Sequence, residues 1–229
     1  MKKILSLMIC LLIIPGLVLA AETKAVVKTS TNLAENAKSA IMIEASSGKV
    51  LFDKNSHEKL PPASMTKMMS MLLIVEAVED GIISWDQKIT VSENASGMGG
   101  SQILLETGEQ MSVDDLFKGV AIMSGNDAVV ALAEAVAGTE DEFVKMMNKR
   151  AKELGLKDSV FKNPHGLDDA NHYSSAYDMS LIAKELVKHD RVLKYTSTYE
   201  DYLRKGTEGM ITVIYPDIRE RLDNKELRF

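Results

Sequence analysis

The apolar positions fall into three patterns along the chain. Residues 1–20, MKKILSLMICLLIIPGLVLA, form a nearly continuous apolar run behind Lys2 and Lys3. Residues 39–55, SAIMIEASSGKVLFDKN, alternate instead. Ile41 and Ile43 point one way, Ser47-Gly48 supplies a turn and Val50-Leu51-Phe52 returns, which predicts a hairpin. From residue 64 onward helical spacing dominates. Pro61-Pro62 exclude helix before Ala63. The stretch from Ser64 to about Glu79 then reads as one helix, closed by Asp80-Gly81.

Residues 88–109 predict short strand-like pieces around a glycine-rich turn. Ser112 reads as the N-cap of a helix over 113–123. DAVVALAEAVAG, residues 127–138, predicts a small buried helix ending at Gly138. Residues 139–156 predict an amphipathic helix with Phe143, Met146, Met147 and Leu154 inward. A last helix, over 174–190, takes Ser174 or Ser175 as its cap. There is no internal repeat. Strands followed by a mostly helical middle predict an α+β domain. The methionines of MTKMMSMLL read as core packing.

The first twenty residues have the layout of a signal peptide. Basic residues precede an apolar run, and small residues at 18 and 20 suit a cut before Ala21. A retained membrane anchor is the competing reading. Removing Lys2 and Lys3 from the 27 basic residues leaves 25 against 33 acidic ones, a mature charge of −8; the whole chain carries −6. That charge argues against nucleic acid as the main partner. The single cysteine, Cys10, lies inside the apolar run, so the mature chain would carry no disulfide. Residues 21–37 read as a loose polar leader.

The chemistry begins in PPASMTKMM. Ser64 and Lys67 are three residues apart, on one face of the expected helix. They stand at the positive end of the helix dipole, and the lysine is drawn into an apolar surround. Both effects disfavour the ammonium form. A neutral amine beside a hydroxyl can activate a serine without histidine. The spacing alone is unspecific, because Ser46–Lys49 and Ser159–Lys162 share it. Only Ser64 opens a long apolar helix behind a proline stop. The competing reading is a serine N-cap with a solvated lysine. A second polar pair, Ser124 and Asn126, lies between two apolar helices in AIMSGNDAVV. Polar groups in such company are hydrogen-bonded or working. A capping turn without chemistry is the alternative.

These elements, with GMGGSQILLETGE and FKNPHGLDDANHYSSAYDM, resemble the low-molecular-weight penicillin-binding proteins, the serine D-alanyl-D-alanine carboxypeptidases. The resemblance covers about residues 38–204. It implies an α/β sandwich of the penicillin-binding protein and β-lactamase type, with no cofactor and no metal. Ser64 would be the nucleophile and Lys67 its base. Ser124 would relay the proton to the departing D-alanine, and Asn126 would hold the substrate amide and Lys67. The Ser64 backbone N–H would serve the oxyanion hole. Peptidoglycan stem peptides and β-lactams would be the partners. The site would lie outside the cytoplasmic membrane, in the wall or periplasm, with the membrane reached only through an uncleaved signal or a C-terminal anchor.

The resemblance also implies a Lys-Thr-Gly or His-Thr-Gly strand. No such tripeptide occurs; Lys205-Gly206-Thr207 has the wrong order. Residues 205–229 read as a divergent tail that completes no sheet. The expectation is a shortened reading frame and a poor enzyme. Three other readings compete. A non-catalytic penicillin-sensing module would keep only the acylation of Ser64. A β-lactamase would need a carboxylate loop, which FKNPHGLDD does not resemble. A zinc site at His165, Asp168 and His172 fits no helix-based ligand spacing.

Overall fold

The computed structural model describes residues 33–204 and the strand at 211–214. The segment read as a signal peptide, most of the leader and most of the tail lie outside the described residues. In chain order the elements are β1 (Ala40–Ile43), β2 (Val50–Lys54), a 3-10 turn (Ala63–Thr66), α1 (Lys67–Glu79), β3 (Lys88–Thr90), α2 (Glu93–Ser96), β4 (Gln110–Ser112), α3 (Val113–Met123), α4 (Asn126–Ala137), α5 (Glu140–Glu153), α6 (Ala176–Leu186), α7 (Asp190–Thr196), β5 (Glu200–Leu203) and β6 (Ile211–Ile214).

The strands form three antiparallel pairs, β1 with β2, β3 with β4 and β5 with β6. The first is the expected hairpin, with Ala40 opposite Lys54 and an irregularity between Met42 and Ile43. Its Lys54 ammonium donates to the carbonyls of Ala34 and Glu35, which ties down the end of the leader. Beyond residue 204 the chain does add to a sheet, contrary to expectation. Ile211–Ile214 pair with Leu203–Glu200 through backbone hydrogen bonds.

α1 is the centre of the molecule. Met69, Leu72, Leu73, Ile74 and Val75 are all buried, and α3, α4, α5 and α6 pack around it. A helix apolar on every side has to be enclosed in this way. The Ser112 and Ser175 caps behave as the sequence predicts, and Thr139 supplies a third. Ser112 accepts the Asp115 N–H, Thr139 the Glu142 N–H and Ser175 the Asp178 N–H. Phe117 of α3 packs nearly perpendicular to Trp85, ring centroids 5.3 Å apart, and Tyr195 of α7 donates to the Asp114 carboxylate at 2.5 Å. The Tyr195–Asp114 bond fastens α7 to α3. Among the described residues no helix is long and apolar enough to cross a membrane.

Candidate active site

Ser64 is not part of α1. It sits in the 3-10 turn that feeds α1, and Lys67 is the first residue of the helix proper. This difference helps the geometry, because i and i+3 eclipse one another at three residues per turn. Lys67 Nζ lies 3.2 Å from Ser64 Oγ and 2.8 Å from the carbonyl oxygen of His165. Ser64 is exposed, while Lys67 is only 3% exposed. The N-cap reading fails on both counts. Ser64 caps nothing, and the lysine is not solvated.

Burial pushes the Lys67 ammonium down from 10.5 to about 8. At pH 7 about one-tenth of the molecules then hold a neutral amine. In that form the Ser64 hydroxyl donates to the Nζ lone pair. A remaining N–H of the amine still bonds His165, so the lone pair stays aimed at the serine.

One segment, residues 161–172, builds the floor beneath this turn. The Pro164 carbonyl accepts from Ser70 Oγ at 2.6 Å. The His165 carbonyl accepts from Lys67, and His172 Nε2 lies 2.9 Å from Thr66 Oγ1. Gly166 presses directly on the backbone of Ala63. A Cβ built on it would stand 1.9 Å from the Ala63 oxygen. Ala63 itself has φ +46°, left-handed for a residue with a side chain. The residue before the serine is therefore held in an uncommon conformation by its neighbours.

Ser124 ends α3 with φ +57°, and Asn126 begins α4. Ser124 Oγ is buried and is the one such side-chain atom without a hydrogen-bond partner among the described residues. The expected bond from Asn126 to Lys67 is not formed. Asn126 Nδ2 donates instead to the Gly99 carbonyl at 2.6 Å. Gly100, at φ +81°, lies so near that a Cβ would come within 2.7 Å of that nitrogen and 3.7 Å of Leu167 Cδ2. Leu167 belongs to the segment that carries the Lys67 partner, so the two polar elements of the sequence border one another here. No hydrogen bond joins Ser124 or Asn126 to Ser64 or Lys67 among the described residues.

Two contributions had no signal in the sequence. The first is the set of backbone carbonyls at 164 and 165. The second is Asp127, which accepts from the N–H groups of Ile103, Leu105 and Ala128 and so fixes the loop beside Asn126. Arg204 clamps the same loop through the carbonyls of Ile103 and Leu104 and the Glu109 carboxylate.

The other serine–lysine spacings are spent elsewhere. Ser46 bonds Glu44, and Ser159 bonds Ser174 and Asp178. A further copy, Ser56 and Lys59, bonds Asp53 and pairs with Asp158. The histidines of the zinc reading likewise have other partners. His165 faces Glu140, and His172 faces Thr66. No three metal-ligating side chains converge among the described residues.

An exposed serine bonded to a buried lysine at the mouth of an internal helix is the arrangement of a lysine-activated serine. The chain belongs to the peptidase S11 family, D-alanyl-D-alanine carboxypeptidase, whose profile matches residues 25–222. It is 54% identical to the D-alanyl-D-alanine carboxypeptidase DacF of Bacillus subtilis over 91% of this chain and 54% of that protein. Penicillin-binding protein 5 of Haemophilus influenzae superposes with a TM-score of 0.73 at 36% identity, over 78% of this chain and 52% of its own. Penicillin-binding protein D2 of Listeria monocytogenes, solved in an ampicillin-bound form, gives 0.68 at 28% identity, over 80% and 72%. The fold is thus the α+β fold of the penicillin-binding carboxypeptidases. The chain spans about half the length of the curated relatives it matches.

Proposed function

We propose that this chain carries serine D-alanyl-D-alanine carboxypeptidase chemistry on peptidoglycan stem peptides, through an acyl-enzyme that β-lactams also form. The observation that carries the reading is the contact of Lys67 Nζ with Ser64 Oγ at 3.2 Å, with the lysine buried and its ammonium disfavoured. Lys67 takes the hydroxyl proton as Ser64 Oγ attacks the carbonyl carbon of the penultimate D-alanine. The Ser64 backbone N–H meets the developing oxyanion. The proton passes through the Ser124 hydroxyl to the amine of the departing D-alanine. Ser124 Oγ lacks a protein partner, as a hydroxyl that waits for one supplied by substrate would. Asn126 holds the substrate amide. Water then cleaves the ester.

Export through residues 1–20 and action at the wall belong to the same proposal, and so does binding of β-lactams. A β-lactamase fits less well. The segment under Lys67 offers it a carbonyl, and among the described residues no carboxylate bonds Lys67 or Ser64. A second reading rests on the same contact, which suffices to acylate Ser64 without itself releasing the ester. It is a penicillin-binding module that is acylated without turnover.

The test follows D-alanine release from a peptide ending in D-alanyl-D-alanine, beside labelling by a fluorescent penicillin. Wild type and Ser64→Ala are compared. Release that depends on Ser64 supports the carboxypeptidase. Labelling without release supports the second reading. Neither, on folded protein, overturns both.

A further inference from the structure

The floor beneath the serine contains a buried histidine that the reaction, as written, does not use. His172 is 4% exposed. Its Nδ1 faces the backbone N–H of Lys162 at 3.3 Å, a group that can only donate. Nδ1 is therefore the acceptor. The proton of the neutral ring sits on Nε2 and is donated to Thr66 Oγ1 at 2.9 Å. The Phe161 ring meets the imidazole nearly perpendicularly at 5.8 Å and limits its rotation. Thr66 is fully buried and stands between the two working residues, two after Ser64 and one before Lys67. A rotation of its peptide units would re-aim both.

We infer that His172 is a positioning residue for acylation. Its bond to Thr66 locks the 3-10 turn that holds Ser64 against Lys67, and its bond to Lys162 locks the same turn to the segment bearing the His165 carbonyl. This rests on the reading of Ser64 as nucleophile. Protonating the ring would set two N–H groups against each other at Lys162 and loosen residues 162–166. The groups that act on the ring are His165, which disfavours its charge, and Asp169, which favours it. Lys67 adjoins its partner Thr66. Burial is the larger influence, and it holds His172 below the ordinary histidine value of 6.5.

The inference predicts a specific pH profile. Below about pH 8 the acylation rate falls tenfold per pH unit as Lys67 takes a proton. Once His172 also takes one, the fall steepens to a hundredfold per unit. The experiment measures acylation of the full chain by fluorescent penicillin from about pH 5 to 9. The variants are Thr66→Val, His172→Phe, His172→Gln and the Thr66→Val/His172→Phe pair. At pH 8, Thr66→Val and His172→Phe are each expected to lose about tenfold or more, with no further loss in the pair. His172→Gln keeps an amide donor for Thr66 and does not titrate. It stays within about threefold of wild type and shows only the shallower fall.

Wild-type rates in Thr66→Val and His172→Phe, additive losses, or a steep limb that survives in His172→Gln would each overturn the inference. If His172→Phe does not fold, Thr66→Val and His172→Gln carry the test. If wild type takes no label, the proposed function fails separately. The positioning role is then read without ligand, from the titration of the Lys67 side chain by NMR. That titration should move up toward 10.5 in His172→Phe and stay in place in His172→Gln. An unmoved titration in both would reject it.

Discussion

Replacing Gly166 by alanine should damage both the site and the fold. Gly166 has φ +88°, so alanine there costs about 1–2 kcal/mol from backbone strain alone. Its Cβ would lie 1.9 Å from the Ala63 oxygen, 2.5 Å from the Ala63 carbonyl carbon and 2.9 Å from Thr66 Oγ1. Ordinary contact needs a separation of 3 Å or more, so the two backbones must part by more than about 1 Å. The atoms that move adjoin Ser64 on one side and carry the Lys67 partner on the other. A misplacement of about 1 Å costs on the order of a hundredfold in rate. The expected result for Gly166→Ala is therefore acylation about a hundredfold slower, with about 2–3 kcal/mol of stability lost. Stopped-flow labelling with fluorescent penicillin, at a temperature where circular dichroism shows a folded chain, separates the two effects. A folded Gly166→Ala that is labelled at the wild-type rate would refute the view that this contact sets the serine.

Other outcomes follow from the same geometry. Wild-type acylation should rise about tenfold from pH 7 to pH 9, as the neutral fraction of Lys67 grows from about one-tenth to about nine-tenths; a flat profile would contradict it. The same group links stability to pH. Its folded value, about 8, lies below the unfolded 10.5, so between those values the unfolded chain binds more protons and stability climbs with pH. The penalty is fully present below pH 8. Denaturant melts of wild type and Lys67→Met at pH 7 and above pH 10 should therefore differ by about 3 kcal/mol more in favour of wild type at the higher pH. Ser124→Ala removes a buried hydroxyl that has no protein partner, so its melting temperature should hold or rise while D-alanine release falls. Asp127→Asn should cost about 2–3 kcal/mol, because an amide nitrogen would replace one of the two oxygens that together accept from three backbone N–H groups.

The parts of the molecule written in side chains were legible beforehand. The hairpin followed from alternation and a glycine turn. The caps at Ser112 and Ser175 followed from their hydroxyls ahead of apolar periodicity. Ser64 and Lys67 stood out because an ionisable amine opened a helix that is otherwise apolar. The rest depends on groups that every residue carries. The carbonyls of Pro164 and His165 have no signature in sequence, and neither does the Gly99 carbonyl that takes the Asn126 amide. The 3-10 geometry of the serine turn depends on a contact with Gly166, a hundred residues away along the chain. β3 falls where short strand-like pieces are expected, but its pairing with β4 across some twenty residues leaves no signal, because three residues are too few for alternation to register. α2 is a single turn that its Ser92 cap holds in place. The strand at 211–214 gives no sign of its pairing in the sequence, because its partner, Glu200–Leu203, is itself polar in pattern.

The most direct test of the account is the intact mass of the full chain after incubation with penicillin, beside Ser64→Ala. The account predicts one adduct on wild type, placed on Ser64 by peptide mapping and missing from the variant. Folded wild type that stays unmodified, or an adduct that persists in Ser64→Ala, would contradict the claim that Lys67 makes Ser64 a nucleophile.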